Sequence, residues 1–152
     1  MLYINTEKIQ PLKISSYPML LNQALLDKIS AEAKQSPRLR KNFNLHDSLD
    51  APSQRLFNAL QPGTQMEIHR HRHTSETCLV VRGSVRYTIC SDDGSVKESY
   101  VLKAGSDSFG FNVPAGVWHT MEPLEPDTVV FGCKDGPYIP LEACDVFGGL
   151  DK

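Results

Sequence analysis

Residues 63–83 read GTQMEIHRHRHTSETCLVVRG, and this stretch decides the fold. It places three of the chain's five histidines, His69, His71 and His73, on alternate positions, and Glu76 follows after a short turn. Side chains at i and i+2 of a strand point to the same face, with their Cα atoms roughly 6–7 Å apart. His69 and His71 could therefore lean onto one metal ion, and Glu76, opening the next strand, could bring a carboxylate to the same ion.

A second histidine lies in a separate turn-and-strand pattern. The segment PAGVWHT (114–120) places His119 after a Pro-x-Gly turn, at the start of another predicted strand, with Trp118 on the opposite face. A His-x-His pair alone is common at surfaces, but a second turn-bounded histidine in a histidine-poor chain favours a shared site. Imidazole and carboxylate donors suit one divalent transition metal, Zn²⁺, Fe²⁺, Mn²⁺ or Ni²⁺, and the sequence does not choose among these ions.

The chain around these histidines has the texture of a β-protein. After Leu56, short runs rich in Val, Ile, Phe, Thr and Tyr alternate with turn signals. The predicted strands are 54–60, 64–71, 76–82, 84–90, 95–102, 107–113, 117–121 and 128–133. A hairpin is predicted with Asp93-Gly94 at its tip. Short strands at this spacing are typical of a sandwich or a barrel.

One helix is predicted before the strands. From Pro18 to Lys34, apolar residues recur at steps of three and four, which is the period of an amphipathic helix. Pro18 suits a first turn, and Pro37 follows shortly after the predicted end. We expect the helix to pack on one side of the β-structure.

Composition excludes several classes of protein. The 152 residues suit one domain, and 40% hydrophobic with 22% charged residues is ordinary for a soluble globular protein. A net charge of −2 offers no footprint for nucleic acid, and no apolar run is long enough to span a membrane. The amino terminus, MLYINTEKIQ, does not read as a secretory signal, and the four cysteines form no CxxC pair. Free thiols in a chain without a signal predict the cytoplasm.

The histidine segments resemble the two motifs of the cupins. The first motif has the spacing G-x5-H-x-H-x4-E-x6-G. Every marked position of it is matched here, by Gly63, His69, His71, Glu76 and Gly83. The second motif is matched at its centre, Pro114-x-Gly116-x-x-His119, while Ser108 and Pro123 replace its outer glycine and asparagine. The resemblance implies a mainly β, jelly-roll barrel whose metal is held by His69, His71, Glu76 and His119.

A longer set of segments is similar to the WbuC family of cupin-fold metalloproteins, which occurs in bacterial surface-polysaccharide gene clusters. The segments are SPRLRKNFNLH (36–46), QRLFNALQPGT (54–64), the histidine block, VPAGVWHT (113–120) and KDGPY (134–138). The resemblance divides the single domain 1–152 into an N-terminal helix and arm (1–50), a cupin barrel (51–135) and a C-terminal tail (136–152). It also implies pairing of two barrels into a homodimer.

The resemblance suggests where a substrate would bind. The arm between helix and barrel would cross the barrel mouth and offer Arg38, Arg40, Asn44 and His46, although its alternating polar residues also fit a solvated edge strand. Asn58 is a further candidate, on the same strand face as Gln54 and Leu56. Lys134 and Tyr138 flank a Gly-Pro turn; Tyr138 could donate a proton or simply pack on the barrel rim.

Two residues near the motif are expected to be inert. His73 should lie at the surface because the chain is turning by then, and Cys78 should be a buried thiol. The leading hypothesis for function is a metal-dependent isomerase or epimerase acting on a small polar, carbohydrate-derived compound, with Glu76 and Tyr138 moving protons. The alternatives are a sugar or sugar-nucleotide binding protein without turnover, and an iron-dependent oxygenase.

Overall fold

A computed structural model describes residues 18–149, so residues 1–17 of the predicted arm and 150–152 of the predicted tail lie outside the described residues. One helix and eight strands follow in chain order, with a short 3₁₀ turn at Ala143–Asp145. They are α1 (Gln23–Gln35), β1 (Arg40–Asn44), β2 (Ser53–Leu60), β3 (Glu76–Arg82), β4 (Ser84–Cys90), β5 (Val96–Lys103), β6 (Gly110–Val113), β7 (Trp118–Pro123) and β8 (Thr128–Asp135). The helix is not long and apolar enough to cross a membrane.

The strands form two antiparallel sheets that face each other. The larger has the order β1-β2-β8-β3-β6 and the smaller the order β5-β4-β7. The residues that fill the space between them include Leu60, Val80, Val85, Tyr87, Val113 and Val130. Because each strand alternates its side chains, one face of each sheet supplies this core and the other faces outward. The mainly β barrel predicted from the sequence is confirmed.

Helix α1 packs on the outer face of the larger sheet. Leu26, Ile29 and Ala33 lie against a second apolar cluster that includes Phe57 and Val129. The predicted start at Pro18 is wrong, because the helix begins at Gln23. The Asn22 side chain accepts a hydrogen bond of 3.0 Å from the Leu25 N–H, which places the N-cap there.

The predicted strand over 64–71 is also wrong. Within it only His69 forms bridges, to His119 on one side and to Val146 on the other. The segment therefore pairs with β7 and with the C-terminal turn only through His69, rather than as a continuous strand. By contrast, 40–44 is a strand, and it lies at the edge of the larger sheet.

The predicted turns lie where the sequence puts them. Strands β4 and β5 pair as the expected hairpin, and Gly94 at its tip has a φ of 80°. Gly83, the last glycine of the first motif, separates β3 from β4 with a φ of 72°. A Cβ on Gly83 would collide with Thr128, so both the backbone angle and the close approach require glycine here.

Candidate metal centre

The four residues predicted to share a metal ion come together at one end of the barrel. Glu76 opens β3, His119 lies on β7, and His69 and His71 belong to the connection between β2 and β3. One donor atom from each residue lies within 4.8 Å of the donor atoms of the other three. Residues separated by fifty positions in the chain are therefore close enough to hold one ion, and the donor set suits a divalent metal.

Backbone hydrogen bonds fix the histidines relative to each other. The His69 N–H donates to the His119 carbonyl at 3.0 Å, and the His119 N–H donates back to the His69 carbonyl at 2.9 Å. The Gly116 N–H donates to the His71 carbonyl at 2.8 Å, which ties the Pro-x-Gly turn to the first motif. The two motifs are thus joined by the main chain, independently of any ion.

Hydrogen bonds also set the tautomers of two imidazoles. Nδ1 of His69 lies 2.9 Å from the Glu67 carbonyl oxygen, and Nδ1 of His119 lies 2.8 Å from the Val117 carbonyl oxygen. A carbonyl oxygen can only accept, so Nδ1 carries the proton in both rings and Nε2 is left with a lone pair. This is the arrangement in which a histidine can bind a metal through Nε2.

The electrostatics of the cluster keep its donors in the forms that bind cations. Burial, with smaller contributions from the neighbouring His119 and His71, lowers the pKa of His69 to about 3, so the ring is neutral. Burial alone would raise the pKa of Glu76, but the His119 and His71 imidazoles outweigh this effect and hold that pKa well below its usual value. The cluster therefore offers a neutral imidazole at His69 and an ionised carboxylate at Glu76.

One buried nitrogen in the cluster lacks a hydrogen bond. Nε2 of His119 is 3.4 Å from Glu76 Oε2 but outside hydrogen-bond geometry, and it has no hydrogen-bond partner among residues 18–149. His71 Nε2 lies 3.1 Å from the same oxygen. A buried polar atom without a partner is costly unless something satisfies it. An ion held by these four residues would satisfy it, so the residues present fit a metal.

A layer of arginines supports the histidine segment, and sequence reasoning missed it. The Asp145 carboxylate, which is buried, accepts from Arg70 Nε at 3.3 Å and from Arg72 at 2.9 Å. The Arg70 N–H also donates to the Asp145 carbonyl at 3.0 Å, and its guanidinium lies 4.6 Å from the centre of the Trp118 ring. The alternation of arginine and histidine was the only signal, since residues next to the histidines in extended backbone must face away from the ligands.

A cavity of about 70 Å³ lies inside the barrel next to Glu76. It has room for several water molecules, since one needs roughly 10–15 Å³ on this measure. The strands β2, β3, β7 and β8 supply its walls, chiefly Gln54, Leu56, Asn58, Cys78, Met121, Gly132 and Lys134. Asn58 and Lys134, both predicted as substrate contacts, therefore share a cavity with Glu76.

A shallower cleft of about 60 Å³ lies outside the barrel beside His71. Its walls come from residues 70–74 and from residues 134–145 of the C-terminal segment, and Lys134 borders it as well as the inner cavity. Burial lowers the pKa of Lys134, while the Glu76 carboxylate opposes this effect. The exposed His73 borders the cleft but does not join the metal cluster.

The structure does not bring the remaining arm residues to the cluster. Arg40 pairs with Leu60 in the sheet, six residues along β8 from the level of Glu76 and Lys134, and its guanidinium donates to the Gln65 carbonyl. Arg38 is exposed. The other arm candidates border neither cavity; they are Asn44, which pairs with Leu56, and His46, whose Nδ1 bonds the Arg55 backbone.

Tyr138 lies next to Lys134 and outside the lining of the inner cavity. Its ring centre is 5.9 Å from Lys134 Nζ, its backbone N–H donates to the Leu49 carbonyl, and it borders neither cavity. Burial raises the pKa of the Tyr138 hydroxyl. The role of Tyr138 as a proton donor stays a prediction.

Comparisons with known proteins place the chain in a family and give its fold a name. Residues 21–102 match the family described as "Domain of unknown function (DUF6016)". None of the curated proteins matches the chain. The sequence family itself therefore carries no stated activity.

Three solved structures show the fold. KdgF from Halomonas sp. is 19% identical, with 68% of this chain and 84% of that chain covered and a TM-score of 0.54. Bacillus subtilis oxalate decarboxylase is 20% identical over 66% of this chain, with a TM-score of 0.51, and the chain spans about a quarter of its length (26%). The Schizosaccharomyces pombe Cnp3 cupin domain is 11% identical, with 63% and 64% covered and a TM-score of 0.50. The chain thus has the cupin fold expected from its motifs.

Proposed function

This chain belongs to the DUF6016 family, and from that premise we propose that it is a metal-dependent cupin enzyme acting on a small, carbohydrate-derived compound. The observation that carries the proposal is the gathering of four donor atoms within 4.8 Å beside a cavity. Perturbed titratable groups next to a cavity are typical of active sites. The reaction class that we propose is isomerisation or epimerisation.

The metal ligands of the proposal are His69, His71, Glu76 and His119. Three imidazoles and one carboxylate suit Zn²⁺, Fe²⁺, Mn²⁺ or Ni²⁺. Among the proteins that share the fold, Bacillus subtilis oxalate decarboxylase has Mn(II) centres, which supports a divalent ion here. When bound, the ion would polarise a carbonyl or hydroxyl oxygen of the ligand.

The chain's own residues would hold the ligand and move its proton. Lys134 and Asn58 border the cavity beside Glu76, so a compound entering past His71 meets an ammonium and then an amide. If Glu76 leaves the metal, its carboxylate is free to take a proton from the ligand. Tyr138, whose ring centre lies 5.9 Å from Lys134 Nζ, would donate one.

The segments shared with the WbuC family support a place in surface-polysaccharide biosynthesis. The proposal includes a small polar, sugar-derived ligand, a cytoplasmic location suggested by four free cysteines, and a homodimer as in other cupin barrels. The net charge of −2 supports neither nucleic acid nor membrane as a partner. Light scattering on the purified protein tests the homodimer directly.

Two measurements test the proposal. Protein purified without a metal-affinity tag should contain about one transition-metal ion per chain by elemental analysis. Incubation in D₂O with aldoses and ketoses of three to six carbons should then place deuterium at the carbon next to a carbonyl, seen by proton NMR. A matched sample in which His71→Ala removes a ligand should show neither metal nor exchange. A fully loaded protein that exchanges no proton with any sugar would contradict an isomerase.

A binding protein without turnover is the second candidate. Four protein ligands would saturate a tetrahedral ion, an arrangement usual in structural metal sites. Tight sugar or sugar-nucleotide binding without deuterium exchange favours this candidate. Oxygen uptake by the iron-loaded protein would instead favour an oxygenase.

A further inference from the structure

Gly132 leaves open space in the wall of the inner cavity. It lies within β8, paired with Leu56 on one side and Cys78 on the other, and it is not among the glycines with positive φ. A Cβ added there would have Glu76 Oε1 as its nearest neighbour, at 4.0 Å. Neither a turn nor a tight contact therefore calls for glycine. Glycine inside a strand often marks the close approach of a ligand.

Lys134 places a desolvated positive charge two residues further along the same strand face. No acidic side chain of residues 18–149 forms an ion pair with its ammonium; its one aromatic contact is with Tyr138. The Glu76 carboxylate opposite it on β3 attracts this half-buried ammonium but lies against His71 and His119, so an anion in the cavity would add the ion pair that the ammonium lacks. The charge borders both the cleft and the inner cavity, so a ligand entering from outside would meet it first.

Asn58 places an unsatisfied acceptor at the inner end of the same cavity. Its Oδ1 is buried and has no hydrogen-bond partner among the described residues 18–149. Asn58 pairs with Val130, two residues beyond Gly132 on the same face of the sheet. A hydroxyl group of a ligand could donate to this oxygen.

From these three features we propose that the inner cavity is the binding site for a polyhydroxy carboxylate, a sugar acid. Its carboxylate pairs with Lys134, its carbon chain passes over Gly132, and an inner hydroxyl donates to Asn58. This inference rests on the proposed function, since it names the substrate class of that site. It adds that the compound is an acid and that Gly132 determines which compounds fit.

The test compares a four-carbon acid with its uncharged counterpart. D-erythronate and erythritol are titrated into the protein, as purified with its metal, by calorimetry. We expect erythronate to bind at least tenfold more tightly than erythritol. Lys134→Met, which keeps the length of the side chain without the charge, should abolish this preference, whereas Lys134→Arg should retain most of it. Lys97→Met, on the exposed strand β5, is the matched control and should change nothing.

Gly132→Ala tests whether the carbon chain of the ligand passes over β8 at Gly132. The added methyl should weaken erythronate binding at least tenfold while the metal content and the melting temperature stay at or above wild type. A purely structural glycine would give the opposite result, a lower melting temperature with unchanged binding. Equal binding of acid and polyol by wild type, binding of neither, or an intact preference in Lys134→Met would overturn the inference.

The same samples separate this inference from the proposed function. If wild type holds a metal and exchanges sugar protons but does not prefer the acid, only the inference fails. If wild type holds no metal and yet prefers the acid through Lys134, the proposed function fails and the anion site stands. Metal content is therefore measured on every variant before titration.

Discussion

His71 and His73 are two histidines on the same short segment with different surroundings. His71 belongs to the donor cluster, while His73 is exposed and outside it. We predict that His71→Ala lowers metal affinity by at least about 100-fold, since even partners of ligands are worth 10–100-fold, and that it lowers the melting temperature. His73→Ala is the control and should keep its metal. Elemental analysis after dialysis measures both, and full occupancy in His71→Ala would contradict the assignment.

The cysteines should differ sharply in reactivity. Burial raises the pKa of Cys78 to about 12, with the Glu76 charge adding to the effect, so at pH 8 only ~10⁻⁴ of this thiol is thiolate. Cys144 is exposed. Native protein treated with iodoacetamide at pH 8 should therefore be labelled at Cys144 and not at Cys78, as peptide mass spectrometry can show. Protein unfolded in urea should be labelled at both.

At the scale of residues, the alternation of side chains along extended backbone predicted which donors would lie together and could not predict their neighbours. His69 and His71 share a side because they are two apart, and a turn returns His119 to them. Arg40 also has the chemistry of a substrate contact, but strand register places it six residues along the sheet, and no local pattern encodes register. Gly132 has a signal in the sequence, because it is an isolated glycine in the apolar run TVVFGC (128–133).

The Asp145 carboxylate adds a side-chain link between the C-terminal segment and the histidine segment, beside their main-chain hydrogen bonds. Burial alone would raise the pKa of Asp145, but hydrogen bonds from Arg72 and Arg70 hold it below the usual 3.8. We predict that Asp145→Asn costs about 1–3 kcal/mol at pH 7, because two arginines lose a charged partner. Urea unfolding of metal-free protein measures this cost.

The pH dependence of that cost follows from the direction of the shift. A carboxyl with a depressed pKa stabilises the fold fully above its unfolded pKa, and the effect is lost as pH falls through the folded value. The difference in unfolding free energy between wild type and Asp145→Asn should thus persist at pH 6 and shrink as the pH falls below the usual carboxyl value of 3.8. Glu142→Gln, an exposed carboxylate on the same arginine, is the control and should cost below about 1 kcal/mol. A gap that grows in acid would contradict the assignment.

At the scale of elements, alternation predicted strands where both faces have a defined environment. The pattern over 84–90 and 95–102 became the hairpin β4–β5. The same pattern over 64–71 did not become a strand, because its alternation serves the metal donors on one side and Asp145 on the other. The helix begins at Gln23 and not at Pro18, because the side-chain oxygen of Asn22 caps the first turn by accepting from the Leu25 N–H.

At the scale of the whole molecule, the metal should stabilise the fold that surrounds it. An ion present at 100 times its dissociation constant adds about 2.7 kcal/mol. For a chain of this size each kcal/mol raises the melting temperature by roughly 2–4 °C. Removal of the metal with a chelator should therefore lower the melting temperature by about 5–11 °C, measured by calorimetry, and addition of metal should restore it. An unchanged melting temperature would mean that the cluster does not bind the ion in the native state.

The two isolated β-bridges of His69 have a consequence for biosynthesis. His69 pairs with His119 and with Val146, which are both synthesised much later. The Phe147 N–H also donates to the Ile68 carbonyl, at 2.8 Å. A nascent polypeptide that has emerged only as far as the first motif thus carries two histidines with nothing to hold them in place. Complete assembly of the donor cluster must wait until translation has passed residue 147, and a protein shortened between residues 119 and 147 would lack the bridge to Val146 although all four donor residues are present.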